Sequence, residues 1–414
     1  MIIRRLRQQV ARAPMQAPEP PSTIAATATL SAALQDLEAR QLRRTRRVFE
    51  PGAVLPAARI DGRRIRVFCS NDYLGLAHDP RLAAAMNAAT ETWGTGAGAA
   101  HLVSGHTTEH HALEDALADF TGRPRALMFS TGYMANLGTL SALAGRGDLV
   151  VEDRLNHASL IDASRLSGAR VKRYRHGDVD AAARRLGTPA RRKLLVTDGL
   201  FSMDGDLAPL ADLAAVAKTH GAWLVVDDAH GLGVIGRSGR GSLEAAGLDL
   251  EAAPVLIGTL GKAFGVFGAF VAGSAELIDT LINRARTYIY TTAPPPGLAA
   301  AARCALNIAS SEPWRREHLS GLILRFRHGG EALGLQMMPS SSPIQPIVVG
   351  APGATLQASE ALFERGFLVT AIRPPTVPEG TSRLRVTLSA SHSEQDVDEL
   401  LDALAHTGIE RATT

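Results

Sequence analysis

Lys262 stands in Gly258-Thr-Leu-Gly-Lys-Ala-Phe-Gly265, among small residues and just behind the apolar run Val255-Leu-Ile257. A lysine is ordinarily a solvated surface charge. Just past a buried strand, partial desolvation lowers its pKa and turns the amine into a nucleophile able to form a Schiff base. Asp227 and His230 follow a second apolar run, Ala222-Trp-Leu-Val-Val226. Asp227 reads either as a helix cap or ion-pair partner, or as the carboxylate that keeps a bound pyridine nitrogen protonated. His230 is then either structural or part of the same site. His157 either caps a helix starting at Ala158 or stacks on an aromatic ring. Ser130-Thr-Gly-Tyr133 supplies small residues at a helix start, where backbone N–H groups are free to bind an anion such as phosphate.

Three other groupings resemble sites and fail on spacing. Gly94-Thr-Gly96-Ala-Gly98 follows no clear strand, and Gly258–Lys262 lacks both the Walker spacing and a Ser/Thr after its lysine. His101, His106, His110 and His111 form a histidine-rich patch, but no cysteine accompanies them and the spacing matches no zinc pattern. A non-metal role is therefore expected.

The candidate residues need a scaffold that delivers them to one place. From Pro80 to Ile282, short apolar runs alternate with helical patterns. The runs are Ala126–Phe129, Leu149–Val151, Lys193–Thr197, Ala222–Val226 and Val255–Ile257. They read as strands of a parallel sheet covered by helices on both faces, with helices predicted at Ala135–Leu143, Asp178–Leu186 and Leu210–Thr219. Ligands of such sheets bind at the carboxyl ends of the strands, and all five runs end in polar, ionisable or phosphate-friendly residues. The pattern breaks at Tyr290–Pro296. Beyond it, strands near Ile344–Val349, Leu368–Ala371 and Arg383–Leu388 and a helix over Glu394–Ala405 predict a smaller α+β domain. The expected divisions are an extension over 1–30, a helical and strand segment over 31–66, a large domain over 67–300 and a small domain over 301–414. A helix is expected from about Ser31 to Arg47.

The composition narrows the function. With 45% apolar and 21% charged residues, the 414-residue chain reads as a soluble globular protein of more than one lobe. A net charge of +3 is no nucleic-acid footprint, and no apolar run is long enough for a membrane span. Cys69 and Cys304 are far apart and offer no disulfide framework, so a cytoplasmic location is expected. The segment Met1–Arg12 holds four arginines and no acid and reads as an extension.

As an ordered set, seven motifs resemble the α-oxoamine synthase family of fold-type I pyridoxal-phosphate (PLP) enzymes. They are Ser70-Asn-Asp-Tyr-Leu-Gly75, Val103-Ser-Gly105, Asn156-His-Ala-Ser159, Asp198-Gly-Leu-Phe-Ser-Met-Asp-Gly205, Val226-Asp-Asp-Ala-His-Gly231, Gly258–Gly265 and Tyr290-Thr-Thr292. The resemblance spans about Ser31 to Ala405. It implies a mostly parallel seven-stranded sheet sandwiched by helices, with a smaller α+β C-terminal domain. Lys262 is then the Schiff-base lysine, Asp227 the pyridinium partner and His230 the residue bonding the ring hydroxyl, with Ser202 approaching the same hydroxyl. His157 stacks on the ring. The backbone of Gly132 and Tyr133, with Thr259, holds the phosphate, and Thr291 and Thr292 reach it from a second subunit. The chain is accordingly expected to be a homodimer with shared sites.

Arg385 is expected to grip the substrate carboxylate, with Asn71 nearby. Ala371-Ile-Arg-Pro-Pro-Thr-Val-Pro378, followed by Gly380 and Arg383-Leu-Arg385, is most similar to family members that join L-alanine to a pimeloyl thioester. Thr376 in that stretch and Arg47 (or Arg46) are placed with the substrate. Relatives using glycine or serine, or a silent partner subunit, are the competing readings; silent relatives commonly lose the lysine, which is present here. Gly98-Ala-Ala-His101 departs from the family's more usual Gly-Gly-Ser-Arg, and Tyr133 stands where phenylalanine is commoner.

Overall fold

The computed structural model describes residues 23–50 and 55–409. The described residues divide into two units, with the boundary between Arg46 and Arg47. In the first unit a helix runs from Thr23 to Ala39, earlier than the expected Ser31–Arg47. Its alanine-rich start favours helix well before Ser31. It ends where Gln41 takes a left-handed φ of 55° and the Leu42 N–H bonds back to the Leu37 carbonyl. The arginines that follow therefore lie beyond the helix. The part of the expected extension before residue 23 lies outside the described residues.

The second unit is built on a seven-stranded sheet. In chain order its strands are β1 (Arg125–Phe129), β2 (Leu149–Asp153), β3 (Arg170–Tyr174), β4 (Lys193–Asp198), β5 (Trp223–Asp227), β6 (Val255–Thr259) and β7 (Ala269–Gly273). Their spatial order is β1-β7-β6-β5-β4-β2-β3. All neighbours are parallel except those of β7, which pairs antiparallel with both β1 and β6. Alternating side chains feed two cores. Leu194, Val196 and Val225 pack with the helices Gly132–Leu143 and Ala275–Arg284 on one face. Leu195, Leu224 and Val226 pack with Val179–Leu186 and Leu210–Thr219 on the other. This two-sided burial is why the central strands read as continuous apolar runs.

Two strands escaped the sequence pattern. In β3, Arg-Val-Lys-Arg-Tyr is charged and half-exposed because it is an edge, where charge blocks further pairing. β7 lies close behind the Lys262 loop with no polar spacer long enough to announce it.

The smaller α+β part carries an antiparallel sheet of Ile344–Gly350, Ser382–Thr387 and Thr370–Ile372. The single strand expected at Leu368–Ala371 is divided at the buried Val369. Phe367 and Leu368 pair with Arg66 and Val67 in a separate three-stranded sheet, and Thr370–Ile372 turns to Ser382–Thr387. Arg383 and Arg385, on the central strand of the small sheet, thereby point toward the large domain.

Candidate active site

Adjacent strands β4, β5 and β6 deliver the charged residues. Asp198 and Asp227 end β4 and β5 in register, and Lys262 follows β6. Gly265 takes φ +65°, and a Cβ there would come within 2.4 Å of the Ala77 backbone nitrogen. Only glycine allows the lysine loop to pack this closely against the chain that follows Ser70–Gly75.

Burial lowers the Lys262 pKa to about 8, against the opposing pull of Asp227 and Asp198. Among the described residues, no hydrogen bond or ion pair holds its amine. Asp227 is buried, accepts from the Asn136 amide at 2.7 Å through Oδ2, and accepts from the Ala229 N–H through Oδ1. Asp198 accepts from the His157 N–H at 2.6 Å; burial and then the Asp227 charge push its pKa well above the usual carboxylate range. His230 lies 2.7 Å by Nδ1 from the Tyr73 hydroxyl, and burial holds it neutral. His157 caps Ala158–Leu166, and desolvation lowers its pKa as well, with Asp227 opposing and Lys262 assisting.

Helix Gly132–Leu143 begins at this end of the sheet. Thr131 caps it by accepting from the Met134 N–H, while the Gly132 and Tyr133 N–H groups make no bond among the described residues. A Cβ on Gly132 would meet nothing within 4 Å, so the space over this helix start is open. The Thr259 hydroxyl is already engaged: it donates to the Gly268 carbonyl and accepts from the Gly261 N–H.

From the small domain, Arg385 donates through Nε to the Ser202 carbonyl at 2.6 Å and through Nη2 to Asn71 Oδ1 at 3.3 Å. Ser202 thus meets the site through its backbone. Arg383 pairs with Asp204 on the same loop. Arg47 bonds Glu360 at 3.0 Å and sits 3.8 Å over the Phe363 ring, both on helix Pro352–Glu364. Thr376 is exposed in the turn leaving Thr370–Ile372, with its N–H on the Arg373 carbonyl. Thr292 is exposed and Thr291 half-buried.

Asn136, Ser159, Tyr73 and Asp198 also belong to this cluster but were assigned no role from sequence. The available signal was a polar side chain in an otherwise apolar setting: Asn136 is an amide inside a helix of small and apolar residues.

The histidine patch has a different character. His101, His106 and His110 bring ring nitrogens within 4.8 Å of one another, a spacing a metal ion could bridge. Yet His110 is engaged on both edges, accepting from the Thr107 N–H through Nδ1 and donating through Nε2 to the Pro294 carbonyl. Binding a metal there would break a helix cap.

The donor set at the large site fits PLP. An unpartnered, desolvated lysine serves its aldehyde, a buried carboxylate its ring nitrogen, and open N–H groups at a helix start its phosphate. The comparisons agree. The chain belongs to the class I and II aminotransferase family, whose model matches residues 64–404. Within it the chain is an α-oxoamine synthase, as the motifs implied. It is 62% identical over 376 residues to the 8-amino-7-oxononanoate synthase of Alkalilimnicola ehrlichii, covering 91% of this chain and 96% of that protein. A solved structure of SPT with PLP superposes with a TM-score of 0.88 at 33% identity, covering 93% and 98% of the two chains. The 8-amino-7-oxononanoate synthase of Francisella tularensis gives 0.73 at 30% identity, covering 82% and 97%.

Proposed function

We propose that this enzyme condenses L-alanine with a pimeloyl thioester to give 8-amino-7-oxononanoate, carbon dioxide and the free thiol carrier. The observation that carries the reaction type is the half-buried Lys262, whose amine makes no hydrogen bond or ion pair among the described residues, at the strand ends that also carry Asp227. High identity over nearly the whole length to an 8-amino-7-oxononanoate synthase supports the substrate pair.

When bound, PLP supplies an electron-poor ring that stabilises negative charge on the amino acid's Cα. Asp227 Oδ1 or Oδ2 holds a proton at the ring nitrogen, and Asn136 holds Asp227 in place. His230 would hold the ring hydroxyl, and the Gly132 and Tyr133 N–H groups would hold the phosphate. Arg385, steadied by Ser202 and Asn71, binds the alanine carboxylate. Lys262 Nζ removes the Cα proton, which its lowered pKa favours near neutral pH. The Cα then forms a bond to the thioester carbonyl and the thiolate leaves. Carbon dioxide departs only after acylation, because the new ketone accepts the electron pair. Lys262 returns a proton to Cα.

We also place the enzyme in the cytoplasm as a homodimer, with Thr291 and Thr292 reaching the partner's phosphate. Both cysteines are free thiols. Leu102, Val103 and Tyr290 are exposed on segments joined by the Ala293 N–H to Ala99 carbonyl bond. Such a patch fits a protein interface.

A mass-detected assay with PLP, L-alanine and pimeloyl-CoA tests the reading, with glycine/acetyl-CoA and serine/palmitoyl-CoA run alongside. Product from the alanine pair alone is expected. Product from either other pair and none from alanine would overturn it.

A further inference from the structure

A hydrogen-bonded chain runs from Asp227 to His157 through Asn136, which the reaction scheme uses only to hold Asp227, and Ser159, which it does not use. Asn136 Nδ2 donates to Asp227 Oδ2 at 2.7 Å and to Ser159 Oγ at 2.8 Å. Ser159 Oγ lies 2.6 Å from His157 Nδ1. Asn136 and Ser159 are each only 1% exposed.

The direction of every proton in this chain can be read. A carboxylate oxygen accepts, so the Asn136 atom facing Asp227 is the amide nitrogen, and the same NH2 group donates to Ser159. With Oγ accepting there, the Ser159 hydroxyl proton is available to His157 Nδ1, but the second lone pair on Oγ equally allows an Nδ1–H to donate. A second contact decides the direction. The Ser159 backbone N–H, which can only donate, is directed at the same Nδ1 at 3.3 Å. Two donors converge on Nδ1, so it carries a lone pair. The neutral imidazole must then hold its proton on Nε2.

We propose that Asn136 and Ser159 are positioning residues that lock His157 in its Nε2–H tautomer, so that it faces the ligand as a hydrogen-bond donor and not as a base. The ligand side follows from position. Nδ1 is turned into the helix cap, whereas Nε2 has no partner among the described residues and His157 remains open to solvent. The hydrogen-bonded chain through Ser159 and Asn136 ties the ring to Asp227, at the charged strand ends. An Nε2–H there suits an anionic oxygen: the amino acid carboxylate, or the thioester carbonyl as charge develops on it. Removal of the Cα proton is left to Lys262, since the lone pair of His157 points away from the substrate. The identity of that oxygen rests on the proposed function; the tautomer itself does not.

Nitrogen NMR of the PLP-loaded protein, labelled at the histidine ring nitrogens and assigned with His157→Asn, reads the tautomer directly. Nδ1 is expected at the position of an unprotonated acceptor and Nε2 at that of a protonated nitrogen. Ser159→Ala should let the Nδ1–H form appear, raise the pH at which His157 titrates, and lower kcat about tenfold, the equivalent of one hydrogen bond. The KM for alanine should move less than kcat. Ser159→Thr keeps the hydroxyl and should restore the wild-type spectrum and pH profile.

A protonated Nδ1 in the wild type overturns the proposal. So does a Ser159→Ala protein whose His157 spectrum and pH profile are unchanged. The cofactor's visible absorbance, recorded on the same samples, separates the two readings. A protein that shows no such band but keeps the Nε2–H tautomer counts against the proposed function alone.

Discussion

Two groups of histidines sit in this chain, and their hydrogen bonds differ in kind. At the strand ends, His157 and His230 each have one ring nitrogen tied to the protein and the other without a partner among the described residues. In the patch, His110 is closed on both edges, while His101 meets His106 through Nδ1 at 3.0 Å, stacks 5.0 Å from Tyr288, and has its other nitrogen, Nε2, sealed inside the protein without a hydrogen bond among the described residues, where no ligand reaches it. A polar group fastened at one end presents its other end in a defined direction, which is what a ligand needs. A group fastened at both ends holds structure. Lys262 is the limiting case at the first site, with no fastening among the described residues, and Arg47 belongs with the second kind.

The largest test of this contrast is Lys262→Ala. Turnover should fall by at least about 10³-fold, through loss of both the cofactor anchor and the general base. Retained activity in a product assay would place the chemistry elsewhere. Next, Arg385→Ala should raise the alanine KM about 10- to 100-fold, as expected for a charge-assisted pair, with fold and cofactor absorbance preserved. A KM change confined to the acyl donor would instead assign Arg385 to the other substrate.

The patch should respond in stability. Burial lowers the His101 pKa from 6.5 to about 3. The unfolded chain then binds the extra proton first, so stability is kept above pH 6.5 and lost as pH falls from 6.5 toward 3. The slope approaches about 1.4 kcal/mol per pH unit. Denaturant melts at pH 7 and pH 5 should show the loss, and His101→Phe should reduce it.

His110→Ala, which leaves the Thr107 N–H and the Pro294 carbonyl without their partner, should cost about 2 kcal/mol, read as a lower Tm. Added zinc should not raise the wild-type Tm. A rise of several degrees would show that the patch binds metal, either at His110 or through His106, His111 and Glu114. The smallest effect belongs to Arg47→Ala. Its exposed pair with Glu360 contributes at most about 1 kcal/mol, and the KM for either substrate should stay put. A raised acyl-donor KM would return Arg47 to the site.

Much of this arrangement was legible without coordinates. The apolar runs before Asp198, Asp227 and Gly258 marked buried parallel strands, and their polar tails marked the ligand end of the sheet. These signals are local: each depends on one strand's burial and on the few residues after it. The helix Leu210–Thr219 appeared where its pattern predicted, and Glu394–Ala405 likewise. The edge strand Arg170–Tyr174 was not legible, because its neighbours, and not its own composition, make it a strand. The same holds for the division at Val369, where two sheets compete for one short extended segment.

What the sequence determined by itself is the set of reactive groups and their delivery to one edge of a sheet, because strand periodicity and burial are written in consecutive residues. Tertiary structure decided how those groups are fastened. Asn136 and Ser159 lie 23 positions apart, and Asn136 and Asp227 lie 91 apart. Arg385 meets Asn71 across 314. No local pattern encodes such pairings. They arise only when the helices and the small domain close on the strand ends, and they set which nitrogen of His157 holds its proton.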